Sequence, residues 1–124
     1  MARKIGWLTM ESKRDREKRE RKYVSRMFPL GEGQKEAEEA LLKQLIPSVS
    51  VQDALYQYLQ VKEILLEEDE EDREDLLSDW KENRLTRRLS PEEQNRLFAM
   101  ARLVMECDSL EKMPDAETIL KSLK

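Results

Sequence analysis

Apolar side chains recur three and four positions apart over much of the chain, and the pattern predicts helices. One apolar stripe begins near Glu32 and ends near Ile46, where Pro47 follows. Such spacing puts the apolar residues on one face of a helix, and proline cannot continue that helix. A second stripe, with a broader apolar face, runs from about Val51 to Glu68. We therefore expect two amphipathic helices, over residues 32–46 and 51–68.

The second predicted helix leads into a strongly acidic run. Residues 67–75 hold eight acidic residues around the single Arg73. Carboxylates four positions apart repel one another within a helix, whereas the helix macrodipole favours them in the first turn. The run therefore predicts a break near residues 68–71 and a new helix that starts near 69–72. One helix that continues through the run is the alternative.

The clearest helix start in the chain is Ser-Pro-Glu-Glu at residues 90–93. Serine suits the N-cap, proline the first helical position and glutamate the third, and together they form a capping box. Nine of the eleven residues from Leu97 to Cys107 are apolar. A helix that is apolar on nearly all sides is typical of a core, so we expect a hydrophobic central helix at about 90–107. A short last helix is expected to open at Pro114.

The N-terminal segment is different in character. Residues 11–22 contain no apolar side chain, and apolar residues return at helical spacing only between Tyr23 and Phe28. We expect a charged N-terminal helix that has little apolar surface to bury. The chain is thus divided into a charged arm, residues 1–30, and a helical bundle domain, residues 31–124. The predicted fold class is all-α, a small helical bundle of five or six helices.

Composition excludes many kinds of chemistry. Three glycines and four prolines supply too few turns for a sandwich or barrel of short strands. The chain has no histidine, which removes Ser-His triads, HExxH zinc sites and the di-iron Glu-x-x-His motif. The acidic run has no glycine for an EF-hand loop, and the chain has no glycine-rich phosphate loop. We therefore expect no catalytic residue, no cofactor and no metal site in a protein that is not an enzyme.

Cys107 is the only cysteine, so an intramolecular disulfide cannot form. It closes the most apolar segment, which predicts a buried and inert thiol. The first residues lack the apolar run of a signal peptide, and no apolar stretch approaches the roughly 18 residues that cross a bilayer. We expect a cytoplasmic protein that is not in the membrane.

Charge is divided unevenly along the chain. Residues 1–35 carry a net charge of +6 and residues 36–75 a net charge of −10. Such asymmetry often marks a segment that contacts another macromolecule. The leading interpretation is a protein–protein interaction or regulatory module whose partner is another protein or a second copy in a homodimer. The alternative is a nucleic-acid-associated protein that uses the basic N-terminal helix, residues 11–27, although interleaved acids lower its net charge.

The candidate partner-binding residues lie in the N-terminal segment, because it combines aromatic anchors with arginines. They are Trp7, Arg14, Arg16, Arg19, Arg21, Tyr23 and Phe28. Residues 11–22 carry a net charge of +3 and the acidic run a net charge of −7. One hypothesis is that the N-terminal helix docks on residues 67–75, in one molecule or across a dimer. Exposed ion pairs contribute little, so the aromatic anchors would supply most of the binding.

Overall fold

The computed structural model describes residues 25–123, and the regular structure in that range is entirely helical. Residues 25–27 are helical and precede a turn at 29–30. The helices that follow are α1 (Gln34–Leu45), α2 (Val51–Leu66), α3 (Glu70–Glu82), α4 (Arg84–Arg87), α5 (Pro91–Met105), a short 3-10 helix (Leu110–Lys112) and α6 (Ala116–Lys121). The predicted all-α bundle is confirmed.

Two glycines set the start of α1. Gly31 and Gly33 have φ values of 98° and 91°. This left-handed region is open to glycine and strained for residues that carry a Cβ. Gly33 is the N-cap, so α1 begins at Gln34 and not at the predicted Glu32.

The acidic run separates α2 from α3, and the predicted break is confirmed. The Asp69 side chain accepts a hydrogen bond from the backbone N–H of Asp72 at 3.0 Å and caps α3. Arg73 donates back across the break to the carbonyl oxygen of Glu67 at 2.7 Å. Three acidic residues then occupy the first turn of α3. There they lie near the positive end of the helix macrodipole.

A second break occurs at Asn83, where the sequence pattern predicts none. α3 ends at Glu82, and a separate short helix begins at Arg84. The Asn83 side chain accepts a hydrogen bond from the backbone N–H of Leu85 at 2.9 Å and caps the short α4. Asparagine is a favoured N-cap because its side chain satisfies an N–H group that has no partner in the helix.

The capping box at the start of α5 is present as predicted. Ser90 Oγ accepts from the backbone N–H of Glu93, and Glu93 Oε1 accepts from that of Ser90, each at 3.1 Å. Glu93 Oε2 also accepts a hydrogen bond from Ser48 Oγ at 2.7 Å. The same carboxylate therefore caps α5 and ties it to the loop between α1 and α2.

The core forms where α2 and α5 cross. α2 packs against α1, α3, α4 and α5, and α5 packs against α1 and α6 as well. The predicted hydrophobic helix is thus a central helix, and it shares that place with α2. Its last turn is less covered than the sequence suggests, because Met105 is 38% exposed. Within residues 25–123, no helix combines the length and the hydropathy that a membrane crossing requires.

Candidate protein-binding surface

A groove lies between α2 and α3, close to the acidic run. Its volume is about 170 Å³. The lining residues are Gln60, Glu63 and Ile64 of α2 and Leu76, Asp79, Trp80 and Asn83 of α3 and its C-cap. Pockets for drug-sized ligands usually measure about 300–1,000 Å³. The groove is therefore smaller than a typical pocket for a drug-sized ligand.

The apolar part of the groove is held in place by core packing. Trp80 is 4% exposed, and its indole meets the Phe98 ring edge-on with the ring centroids 5.4 Å apart. Ile64 is equally buried, whereas Leu76 is 39% exposed. The groove thus has rigid apolar walls and an exposed apolar residue at its edge.

Two buried polar atoms of the groove residues lack partners. The indole Nε1 of Trp80 and the side-chain oxygen Oε1 of Gln60 are shielded from solvent and form no hydrogen bond with a residue that the structure describes. A buried donor or acceptor without a partner costs about 1–3 kcal/mol.

Asp79 lines the groove, and two further acids of α3 continue from it along the same side of the helix. Asp72, Asp75 and Asp79 follow one another at spacings of three and four, so they share the side of α3 on which Leu76 lies. We call these three residues the acidic stripe. All three are exposed, and none forms an ion pair with another residue in the range 25–123. Glu63 adds a fourth carboxylate from the α2 wall of the groove.

An exposed aromatic residue extends the same surface along α2. Tyr56 is 50% exposed and lies one turn before Gln60, on the same side of the helix. Tyr56 therefore lies away from the buried face of α2. Aromatic residues are enriched at protein interfaces. At this end of the groove the charge reverses, because Arg84, Arg87 and Arg88 follow Asn83 and are exposed, and a hydrogen bond of 2.7 Å between Thr86 and Gln57 holds α4 beside α2.

A second notable cluster is a buried ion pair between α1 and α2. Lys62 Nζ lies 2.7 Å from Glu38 Oε2, and both side chains are at most 3% exposed. The same ammonium donates to the carbonyl oxygen of Met27 at 2.6 Å and lies 4.8 Å from the centroid of the Tyr58 ring. The pair therefore ties residue 27, which is itself 1% exposed, to the bundle.

Burial works against both charges of this pair. It raises the pKa of Glu38 and lowers the pKa of Lys62, and in each case the charge of the other partner opposes the shift. Burial also raises the pKa of Tyr58 well above its usual value, helped by the nearby Glu38 carboxylate. The pair joins α1, α2 and the residues that precede α1.

Six of the seven predicted partner-binding residues precede the described range. Trp7, Arg14, Arg16, Arg19, Arg21 and Tyr23 lie outside the described residues, as do the basic run and its docking on residues 67–75. Phe28 is described: it is half-buried, and Lys62 Nζ lies 5.1 Å from the centroid of its ring. The partner-binding role of all seven residues stays a prediction, as does the domain boundary at residue 30.

Cys107 is half-buried, whereas the sequence predicts a buried thiol. The chain turns after α5, which leaves the side chain beside the open end of the helix and not inside the core. The thiol contacts the carbonyl oxygens of Leu103 and Lys112 at 3.3 and 3.2 Å. Burial and the carboxylates of Asp108 and Glu106 raise its pKa. A raised pKa keeps the thiol protonated and unreactive.

In the described part of the chain, no group of three acids or thiols is arranged to hold a metal ion. Comparison with protein-family models, curated proteins and solved structures finds no match to this chain.

Proposed function

We propose that the protein is a small interaction module without catalytic activity, and that it binds a basic segment of a partner protein. The observation that carries this proposal is the acidic stripe beside the groove. Carboxylates that form no ion pair with the described residues stand next to buried apolar walls and an exposed leucine. A basic segment with an apolar side chain matches this combination of features.

The two parts of the surface make different contributions. Exposed charges speed association and orient the partner more than they add affinity. Each exposed ion pair contributes only about 0–1 kcal/mol. Leu76 and Tyr56 together offer apolar area, whose burial contributes about 25 cal/mol per Å². The partner therefore needs an apolar contact at the groove as well as basic residues along the stripe.

A second copy of the chain is a partner of the same chemistry, because residues 11–22 carry a net charge of +3. The proposal also includes a cytoplasmic location. Its support is the single half-buried cysteine, which fits a compartment where disulfides do not form.

Nucleic-acid binding through residues 11–27 is the second candidate, and the net charge of +6 over residues 1–35 favours it. The acidic stripe argues for a protein partner instead, since phosphates would be repelled there. The two are separated by an electrophoretic assay with random RNA and DNA. Retention at low salt that disappears steeply as salt is raised would favour the nucleic-acid function.

The protein-binding function is tested by affinity purification with a matched pair of variants. The stripe variant carries Asp72→Asn, Asp75→Asn and Asp79→Asn. The control variant carries Glu32→Gln, Glu106→Gln and Glu111→Gln, three exposed acids away from the groove. Both variants lose the same negative charge, so a general change in net charge affects them equally.

We expect at least one partner to be retained by the wild type and the control and to be lost with the stripe variant. The complex is then reconstituted from purified components. We expect its Kd to rise about tenfold in the stripe variant, which corresponds to about 1.4 kcal/mol for three exposed charges. Equal partner binding by all three proteins would contradict the proposed surface.

A further inference from the structure

We infer that the partner of this surface is a second copy of the same chain, related by a two-fold axis, so that the acidic stripe of each copy meets the arginines that follow Asn83 in the other. This inference rests on the proposed function and names the basic segment that the surface binds. Three observations lead to it: the exposed face of α3, the division of charge along that face, and the apolar residues beside it.

The first observation is that α3 buries little of its surface for its length. It has thirteen residues, of which Trp80 alone is buried. It packs mainly against α2 and α4, its neighbours in the chain. A helix on the surface of a globular protein usually buries an apolar stripe at least about 100° wide. Most of the surface of α3 is therefore open to another macromolecule.

The second observation is that this face has an acidic half and a basic half. The acidic stripe lies on α3, and three exposed arginines follow the C-cap of that helix: Arg84, Arg87 and Arg88. We call these three residues the basic cluster. Their spacing of three and four puts them on one side of α4, opposite the buried Thr86. Like the acids, they form no ion pair with another residue in the range 25–123, so the described part of the chain neutralises neither half.

The basic cluster is held at a fixed place relative to the stripe. Thr86 Oγ1 donates a hydrogen bond to Gln57 Oε1 of α2 at 2.7 Å, and both side chains are buried. Gln94 Nε2 of α5 donates to the carbonyl oxygen of Thr86 at 3.2 Å. These bonds tie α4 to the two central helices. Because the two halves keep one separation, a second copy can match both of them at the same time.

The order of the two halves determines how two copies meet. A two-fold axis that passes between Asp79 and Arg84 places the acidic half of each copy against the basic half of the other. Every contact then forms twice, and the pair is closed. A head-to-tail arrangement would match only one half in each contact and would produce open chains of molecules. The charge pattern therefore favours an antiparallel dimer.

The third observation is that an exposed apolar residue accompanies each half. Leu76, which is 39% exposed, belongs to the acidic half. Tyr56, which is 50% exposed, precedes Gln57 on α2 and so lies at the basic end of the groove. The two-fold axis brings Leu76 of each copy to the side of Tyr56 of the other. A second copy thus supplies both requirements of the proposed function, a basic segment and an apolar contact.

The test is sedimentation velocity of the full chain over a range of concentrations, with two variants in which charge is reversed. The acid-reversed variant carries Asp75→Arg and Asp79→Arg. The base-reversed variant carries Arg84→Glu and Arg87→Glu. Far-UV circular dichroism shows whether each variant is folded.

We expect the wild type to form a dimer with a Kd in the micromolar range. Each reversed variant alone should have a Kd that is higher by more than about a hundredfold, because like charges then face one another. An equimolar mixture of the two variants should form a heterodimer with about the wild-type Kd, since the reversed residues again face opposite charges. Raising the salt concentration should raise the Kd of the wild-type dimer, because salt screens the ion pairs.

A matched control separates the surface from the net charge. Glu106→Arg with Glu111→Arg changes the net charge as much as the acid-reversed variant does, at exposed positions elsewhere, and we expect the wild-type Kd. If a reversed variant does not fold, milder changes replace it. They are the stripe variant and a variant with glutamine at all three positions of the basic cluster, and each should raise the Kd at least about tenfold.

Three results with these proteins would overturn the inference. They are a wild type that stays monomeric into the millimolar range, a folded variant of either half that dimerises as the wild type does, and a mixture of the two folded reversed variants that does not associate. A fourth result would identify residues 11–22 as the basic segment instead. It is loss of the dimer when the arginines of that segment are replaced by glutamine.

Failure of the inference and failure of the proposed function give different results. If the chain does not associate with itself while another protein is lost with the stripe variant, the inference is wrong and the proposed function stands. If neither a second copy nor another protein depends on the acidic stripe, both are wrong.

Discussion

Replacing Lys62 with methionine should destabilise the bundle more than any exposed substitution. Methionine keeps most of the volume of the lysine stem but removes the ammonium that faces Glu38 at 2.7 Å. The buried carboxylate is then left without its partner, and the carbonyl oxygen of Met27 loses its donor. Removing one partner of a buried ion pair usually costs about 3–5 kcal/mol. A domain with about 5–15 kcal/mol of total stability would lose a large part of it.

The double variant Glu38→Leu with Lys62→Met should recover most of this loss. Burial shifts both pKa values toward the neutral forms, so neither charge is well stabilised in the folded state. Replacing a whole buried pair with apolar residues of similar size is often neutral or stabilising. The carbonyl oxygen of Met27 still lacks its donor, so we expect the double variant to lie within about 2 kcal/mol of the wild type.

The assay is a urea titration of the wild type, the single variants, the double variant and a control. The control is Lys121→Met, which breaks a pair with Glu117 in which the side chains are 70% and 74% exposed. We expect the control to change the free energy of unfolding by less than about 0.5 kcal/mol. Two results would refute this account of the pair. One is a decrease of less than about 1 kcal/mol in the free energy of unfolding for Lys62→Met, and the other is a double variant as unstable as that single variant.

The pH dependence of the Lys62→Met variant gives an independent check. Without the lysine, nothing opposes the effect of burial, so the pKa of Glu38 rises further above its ordinary value of 4.5. A group whose pKa is higher in the folded state stabilises that state as the pH falls. The stability lost at pH 7 should therefore return progressively as the pH is lowered toward 4.5. If the loss of stability relative to the wild type stays constant over that pH range, Glu38 is not a buried and unpaired carboxylate in the variant.

Three further predictions concern α5. Ser90→Ala removes the N-cap and should lower the free energy of unfolding by about 1 kcal/mol, measured by urea titration. An unchanged urea midpoint would mean that the helix starts elsewhere. Val104→Asp places a charge at a position that is 2% exposed and should unfold the domain. Leu103→Asp changes a half-buried position and should lower the stability less. Circular dichroism melts that rank the two variants in the opposite order would refute the packing of α5. Burial of Glu93 raises its pKa, but hydrogen bonds from Ser48 and Ser90 outweigh burial and lower it. The stability that these bonds provide is present above about pH 4.5 and is lost as the pH falls through the lowered pKa. In a Glu93→Gln variant, the free energy of unfolding should therefore fall less steeply than in the wild type as the pH is lowered below 4.5.

Local sequence signals predict the helices well because each acts within a few residues. The capping box at residues 90–93 and the acidic start of α3 both depend on hydrogen bonds and charges inside one turn. Proline at position 47 and the glycines before Gln34 end or begin helices for equally local reasons. Asn83 also acts locally, as the N-cap of α4, but its signal in the sequence is weak. A single asparagine without proline or glycine beside it is compatible with a continuous helix.

The tertiary features depend on which helix faces meet, and periodicity alone does not give that. Glu38 lies in the apolar stripe of α1, three and four positions before Leu41 and Leu42. A charge in an apolar stripe is a signal for a buried pair, but its partner on α2 is 24 positions away. The groove beside Trp80 likewise depends on the angle between α2 and α3. No sequence pattern indicates this groove, and the contact residues that the sequence predicts lie in the N-terminal segment.

The central claim, that the groove and its acidic stripe bind a basic partner segment, is tested most directly by photo-crosslinking in cells. A photoreactive amino acid is placed at Leu76 beside the groove, and in a second protein at Leu120 on α6. Both positions are 39% exposed, and α6 packs against α1 and α5, away from the groove. We predict a crosslink from position 76 to a basic segment of one protein. This crosslink should be lost in the stripe variant and should not form from position 120. Equal crosslinking from the two positions, or a crosslink from position 76 that survives loss of the stripe, would contradict the claim.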